Sequence, residues 1–213
     1  LREKAAEYGY QFTRVPPYEI LANRWLSYND LRRLKIIEEI LGKYYNSRRF
    51  CYTLAFLRQK AGGTPWEFYN GLAAFWEEKG LAGKNMKPAR LYEILWAYLQ
   101  TLPFFHRSAG ALRDLLTLDF YLAGGEGSKT PWRPPDSPEW QEKFRQMLQE
   151  DGYRRSLPEP LSGYSPRELQ RRGRLLRLSV DPETLEAREV MILVYLPAQG
   201  RPFWRRLPAF RPG

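Results

Sequence analysis

Two side chains have the chemistry of a nucleophile or a metal ligand and are each the only one of their kind: Cys51 in "NSRRFCYTL" and His106 in "PFFHRSAG". A structural or radical-generating metal centre draws several thiolate or imidazole ligands together. One of each excludes a cysteine-rich centre built from this chain alone. Cys51 and His106 could still meet in space as a nucleophile and its base. Cys51, however, opens an apolar helical run, where a free cysteine is expected buried and inert. His106 reads as a turn or core-edge residue. "GGEGSKT", Gly124 to Thr130, imitates a phosphate loop, but that motif needs glycine directly before the lysine and a helix after it. Ser128 and Pro131 stand in those places. The adjacent acids Glu38–Glu39 and Glu77–Glu78 diverge by about 100° on a helix and read as solvated faces. No catalytic residue and no metal ligand is therefore assigned.

Cationic chemistry is more abundant. The 213 residues carry a formal charge of +10, with a pI of about 9.7. A soluble basic surface explains that, and so would nucleic acid, an acidic partner protein or an anionic lipid surface. From Asp151 onward the cations are all arginine. Arg154, Arg155, Arg171, Arg172, Arg174 and Arg177, with Arg167 and the rings of Tyr153 and Tyr164, are the candidate nucleic-acid contacts. Guanidinium forks suit phosphate and aromatic rings stack on bases. No nucleic-acid-binding signature accompanies them, and a strand edge guarded by charge is the competing explanation.

The elements that must position these groups fall into two kinds. Residues 1–122 read as helices. "LREKAAEYG" begins without a cap and stops at Gly9, the pattern expected of a piece of a longer protein. Two prolines in "RVPPYEILANRWL" resist both helix and central strand. Ser27 and Asp30 form a capping box for a long helix with Leu31, Leu34, Ile37, Leu41 and Tyr44 on one stripe. Thr64, Pro65 and Glu67 start another, Pro88 a third and Ser108 a fourth. Residues 123–138, "AGGEGSKTPWRPPDSP", read as a Gly/Pro-rich linker. Residues 139–213 then form a smaller α+β subdomain: a helix from Glu139 to about Gln149, a capped turn at "SPRE", and the strands "RLLRLSVD" and "EVMILVYL". These put Leu176, Leu178 and Val180 on one face, opposite Val190, Ile192 and Val194. "RPFWRRLPAFRPG" reads as an extended arm.

The fold class expected is thus mainly α, a multi-helix N-terminal domain with a small C-terminal α+β (β-hairpin) subdomain. With 43% hydrophobic and 15% aromatic residues the chain can bury a core of its own. A single cysteine excludes an internal disulfide and suits a reducing cytosol, and the charged Leu1–Glu7 lacks the apolar core of a signal peptide. The most apolar stretch, "LYEILWAYLQTLPFF", falls short of the roughly 20 residues a spanning helix needs. A cytoplasmic protein without a membrane partner is expected.

Between the helices lies a knot, "KYYNSRRFCYTL", where Tyr44, Tyr45 and Phe50 are expected to bury rings around a helix break. Asn46 and Ser47 would hydrogen-bond the backbone freed there. The surrounding "PPYEILANRWLSYNDLRRLKIIEEILGKYYNSRRFCYTLAFL", together with "TPWEFYNGLAAFWEEKG" and "KPARLYEILWAYL", resembles a domain of unknown function at the C-terminus of cobalamin-binding radical SAM proteins. The resemblance covers residues 1–122 well and the remainder loosely. It implies a parent chain with a B12-binding domain and a radical SAM barrel, using a 4Fe–4S cluster, S-adenosylmethionine and cobalamin, with none of these held by the present residues. The three-cysteine cluster motif and the cobalamin motif are absent here. The family tends to write glycine where this chain has Arg48. The implied role is a non-catalytic accessory domain that shapes or covers the substrate side of the core and docks on those domains of the same parent. Trp25, Tyr44, Tyr45, Asn46 and Arg49 are the candidate docking surface. The alternatives are an RNA- or nucleic-acid-binding module using the arginine-rich C-terminal third, and a scaffold for another protein using exposed Trp and Tyr.

Overall fold

The computed structural model describes residues 4–16, 18–60, 62–125, 132 and 138–208. Its elements run α1 (Ala5–Tyr8), β1 (Gln11–Phe12), β2 (Ile20–Ala22), α2 (Tyr28–Ile40), a π-helical stretch (Leu41–Asn46), α3 (Cys51–Lys60), α4 (Pro65–Glu78), α5 (Pro88–Leu99), α6 (Phe105–Leu122), α7 (Pro138–Gln149), α8 (Asp151–Arg155), a 3-10 turn (Leu161–Gly163), α9 (Pro166–Arg172), β3 (Gly173–Val180), β4 (Ala187–Tyr195) and β5 (Phe203–Arg206). The fold is mainly α with a small β portion. Much of the Gly/Pro-rich linker expected at 123–138, including Ser137, lies outside the described residues.

The chain forms two compact units, one from Leu1–Asn46 and Gly63–Asn85, the other from Ser47–Gly62 and Met86–Gly213. α6 and the sheet fall in the same unit.

In the first unit α2 packs on α4. Both start with the reciprocal capping read from sequence: Ser27 Oγ accepts from Asp30 N–H while the Asp30 carboxylate accepts from Ser27 N–H, and Thr64 and Glu67 do the same. The buried stripe of α2 is rotated from the one expected. Ile36, Ile37 and Ile40 are inside, and Leu34 is exposed. Arg33, at the matching i, i+3, i+4, i+7 position, explains the rotation, since its guanidinium reaches Asn70 and Glu77 of α4. Gly9 ends α1 at φ +63, a conformation that costs a side-chain-bearing residue energy. β1 and β2 pair as a short hairpin that sequence reasoning did not give.

In the second unit an antiparallel sheet of order β3-β4-β5 is covered on both faces. The pairs Leu176↔Ile192 and Leu178↔Val190 put the expected apolar set on one face, all of it buried, and α6 packs against β3 and β4. Leu193 and Tyr195, from the other register, enter a second cluster with Phe144, Met147 and Leu148 of α7, Tyr153 of α8 and Leu169 of α9. Gly173 makes the sharp passage from α9 to β3: a Cβ there would stand 2.3 Å from the Leu169 carbonyl oxygen. The tail expected as an extended arm instead supplies β5, paired with β4 from Ile192↔Arg206 to Tyr195↔Phe203. Side-chain contacts hold it. Arg206 bonds the buried Asp181 carboxylate (2.7 and 2.9 Å), and Trp204 Nε1 donates to the Tyr52 hydroxyl (2.8 Å).

Candidate docking surface

Trp25 is placed by a local turn. The Asn23 side-chain oxygen accepts the N–H groups of Trp25 (2.9 Å) and Leu26 (2.8 Å), which turns the chain into the Ser27 cap. The indole is left 65% exposed, with its ring 5.6 Å from Tyr8. Tyr8 continues to Tyr10 (5.8 Å) and Tyr10 to Phe12 (5.9 Å), a ladder of rings along α1 and β1. Among the described residues the large apolar side chains open to solvent are Val15, Tyr18, Trp25, Tyr28, Leu34, Tyr45 and Trp66, all in the first unit.

The knot divides differently from its sequence reading. Tyr44 is fully buried, edge-on to Trp76 (6.1 Å, 77°), and burial raises its phenol far above the ordinary range. It presents nothing to a partner. Tyr45, expected inside, is 60% exposed beside the exposed Asn46. Neighbouring residues on a helix diverge by about 100°, so the two tyrosines cannot both face inward, and the register of the π-helical stretch leaves Tyr44 as the inner one. Arg49 belongs to the second unit, half-buried, with its backbone carbonyl accepting from the Tyr92 hydroxyl (3.0 Å). Of the docking residues read from sequence, Trp25, Tyr45 and Asn46 are surface residues of one unit.

Beyond the π-helical stretch, Arg48 takes φ +59, the left-handed region that favours glycine. Phe50 is then fully buried against Tyr92, ring centroids 4.3 Å apart. Cys51 is exposed, which corrects the expectation of a buried thiol. Its Sγ donates to the Arg48 carbonyl (3.2 Å), and partial desolvation together with the Asp119 charge pushes the thiol up, away from a reactive thiolate. His106 lies exposed in the first turn of α6, its ring edge-on to Phe105.

Sequence reasoning missed Asp119. It stands on α6 at 2% exposure, and its carboxylate accepts the N–H groups of Tyr52 (3.0 Å) and Thr53 (2.8 Å), the opening donors of α3. The start of α3 is thus capped from another helix. Burial pushes this carboxyl up to about 7, against the two N–H groups, which pull it down. Its backbone carbonyl accepts from Tyr92, whose hydroxyl also meets Arg49. The one signal available was an acid inside the apolar run "LTLDFYL". Trp132 was missed too: it is buried, 5.9 Å from Tyr92 and 5.7 Å from Phe120.

The arginine set is largely committed within the fold. Arg154 pairs with Asp151 and Arg177 with Glu189 (both 2.6 Å). Arg174 donates to the Arg171 and Gly173 carbonyls at the end of α9, and Arg172 to Leu196 O (3.4 Å). Arg155 and Arg171 are exposed. Tyr153 is buried in the second cluster, so it offers no stacking face.

Among the described residues no group of three or more His, Cys, Asp and Glu comes together as a metal site, and no helix is long and apolar enough to cross a membrane. No curated protein and no solved structure matches the chain. A family model does match, over residues 6–194, under the description "Protein of unknown function (DUF4080)". With most of its length covered, the chain belongs to that family.

Proposed function

We propose that this chain is a non-catalytic accessory domain of a cobalamin-binding radical SAM protein, seated against the catalytic core of the same parent chain and shaping or covering its substrate side. Among the described residues, the confinement of exposed large apolar side chains to the first unit supports the reading. Apolar surface concentrated on one part of a protein marks a contact with another, and Trp and Tyr dominate the energetics of such contacts. The resemblance of the quoted helices to the appendage of those enzymes supports this choice of partner. In this reading the 4Fe–4S cluster, S-adenosylmethionine and cobalamin are held by the other domains, in the cytoplasm, and this domain contributes shape and contact.

Two measurements test it. Incubated with iron, sulfide, S-adenosylmethionine and cobalamin, the isolated chain should show no cluster absorbance and no cofactor cleavage; stoichiometric cluster binding overturns the reading. Added to a separately expressed core, the chain should bind, and Trp25→Ala with Tyr28→Ala should weaken binding by about 2 kcal/mol or more with an unchanged circular dichroism spectrum. Equal binding by variant and parent would remove this face from consideration.

A further inference from the structure

The second unit carries a surface independent of that docking reading. At the end of the sheet Tyr164 stacks on Tyr195 with ring centroids 4.3 Å apart and planes at 22°. Tyr195 meets Phe203 at 5.5 Å, and the Arg205 guanidinium lies over Phe203 at 5.3 Å. Tyr195, the middle ring, is buried, while Tyr164 and Phe203 pack against the same cluster and are themselves half-buried, and Arg205 is exposed. Arg171 and Arg172, from the last turn of α9, act electrostatically on the same Tyr195. None of Arg171, Arg172 and Arg205 is paired with a carboxylate among the described residues; the bonds of Arg172 and Arg205 go to backbone carbonyls. Glu168, one helical turn before them, acts electrostatically on Arg171 and Arg172, but its hydrogen bonds go to the α9 cap at Ser165.

Partly exposed rings beside guanidinium groups that bond no carboxylate make the combination that holds a single strand without sequence preference: bases stack on the rings and phosphates meet the arginines. We propose that Tyr164 and Phe203, with Arg171, Arg172 and Arg205, form a binding platform for single-stranded nucleic acid. The platform keeps two of the arginines read from sequence and adds Arg205 and Phe203. It leaves aside Arg154 and Arg177, whose charge is cancelled locally. An acidic polypeptide would satisfy the arginines and leave the rings unused, which separates the two partners.

The test is fluorescence anisotropy of the whole chain with a labelled RNA or DNA strand of about 10 nucleotides. Three phosphate contacts give a log–log salt slope near about −2, so affinity should fall about twentyfold between 50 and 200 mM salt. Tyr164→Ala should weaken binding about tenfold or more, while Tyr164→Phe, which keeps the ring, should bind like the parent. Arg171→Ala and Arg205→Ala should each weaken binding and flatten the slope by about 0.7. Arg177→Ala removes the same charge from an ion-paired site and should change little. No binding at low salt, a flat salt response, or an equal loss in Arg177→Ala overturns the platform. So does a poly-glutamate peptide that competes as well as the nucleic acid and is insensitive to Tyr164→Ala, because the rings then have no part in recognition.

Discussion

Replacing Asp119 by Asn keeps the shape of the side chain and removes its charge, with two opposed effects on stability. The carboxylate oxygens accept N–H groups of Tyr52 and Thr53. An amide offers one acceptor oxygen, whereas the hydroxyl oxygen of a protonated acid can still accept. In the variant one buried helix-start donor therefore loses its partner, at a cost of about 1–2 kcal/mol. The charge acts in the opposite direction. The carboxyl titrates near its ordinary value of 3.8 when unfolded and at about 7 when folded, a separation worth about 4 kcal/mol. A raised acid is protonated in the folded state while the unfolded chain is already ionised. Its contribution is therefore fully present below about pH 4 and lost as pH rises through about 7. The groups around it are Tyr92 on α5, Cys51 and Tyr52 on α3 and Arg49 before α3; of these Cys51, Tyr52 and Tyr92 have their own ionisation pushed upward, so none adds a negative charge near neutrality. Urea unfolding of parent and Asp119→Asn across pH 4.5 to 8 gives the difference directly and cancels the other carboxylates. The variant should be the less stable at the acid end, and the gap should close or invert by pH 8. A gap that stays constant, or widens with pH, would refute the reasoning, since the two N–H bonds would then outweigh burial.

Two further outcomes rest on single contacts. Arg48→Gly should raise stability by about 0.5–1 kcal/mol, because φ +59 strains a side-chain-bearing residue; a thermal melt shifted down would show that the Arg48 side chain matters more than its backbone. Arg206→Ala should cost about 1–3 kcal/mol by leaving the buried Asp181 carboxylate, among the described residues, with the Glu183 N–H alone (3.0 Å). Hydrogen exchange should then accelerate at Phe203–Arg206 ahead of β3, and uniform exchange across the sheet would contradict the assignment of that pair as the clamp on β5.

The sequence announced what is encoded within a few residues. The three capping boxes at Ser27, Thr64 and Ser165 each need a side chain and a backbone three positions apart, and all three are present. The alternating faces of β3 and β4 follow from the two-residue period of a strand, which needs no knowledge of the partner. The break after Asn46 was visible as well; which tyrosine faces inward was not, because a π-helical turn changes the register without a compositional mark.

What tertiary structure alone decided is every feature whose partner lies far along the chain. Asp119, on α6, caps a helix that begins at Cys51, and Trp204 and Arg206 turn an arginine- and proline-rich tail into a strand by bonding Tyr52 and Asp181. Local propensity weighs fractions of a kilocalorie per residue, whereas the buried groups of a packed core and a satisfied row of sheet hydrogen bonds weigh several times that. Such groups are placed by the packed core around them, and the sequence near them carries no record of the choice.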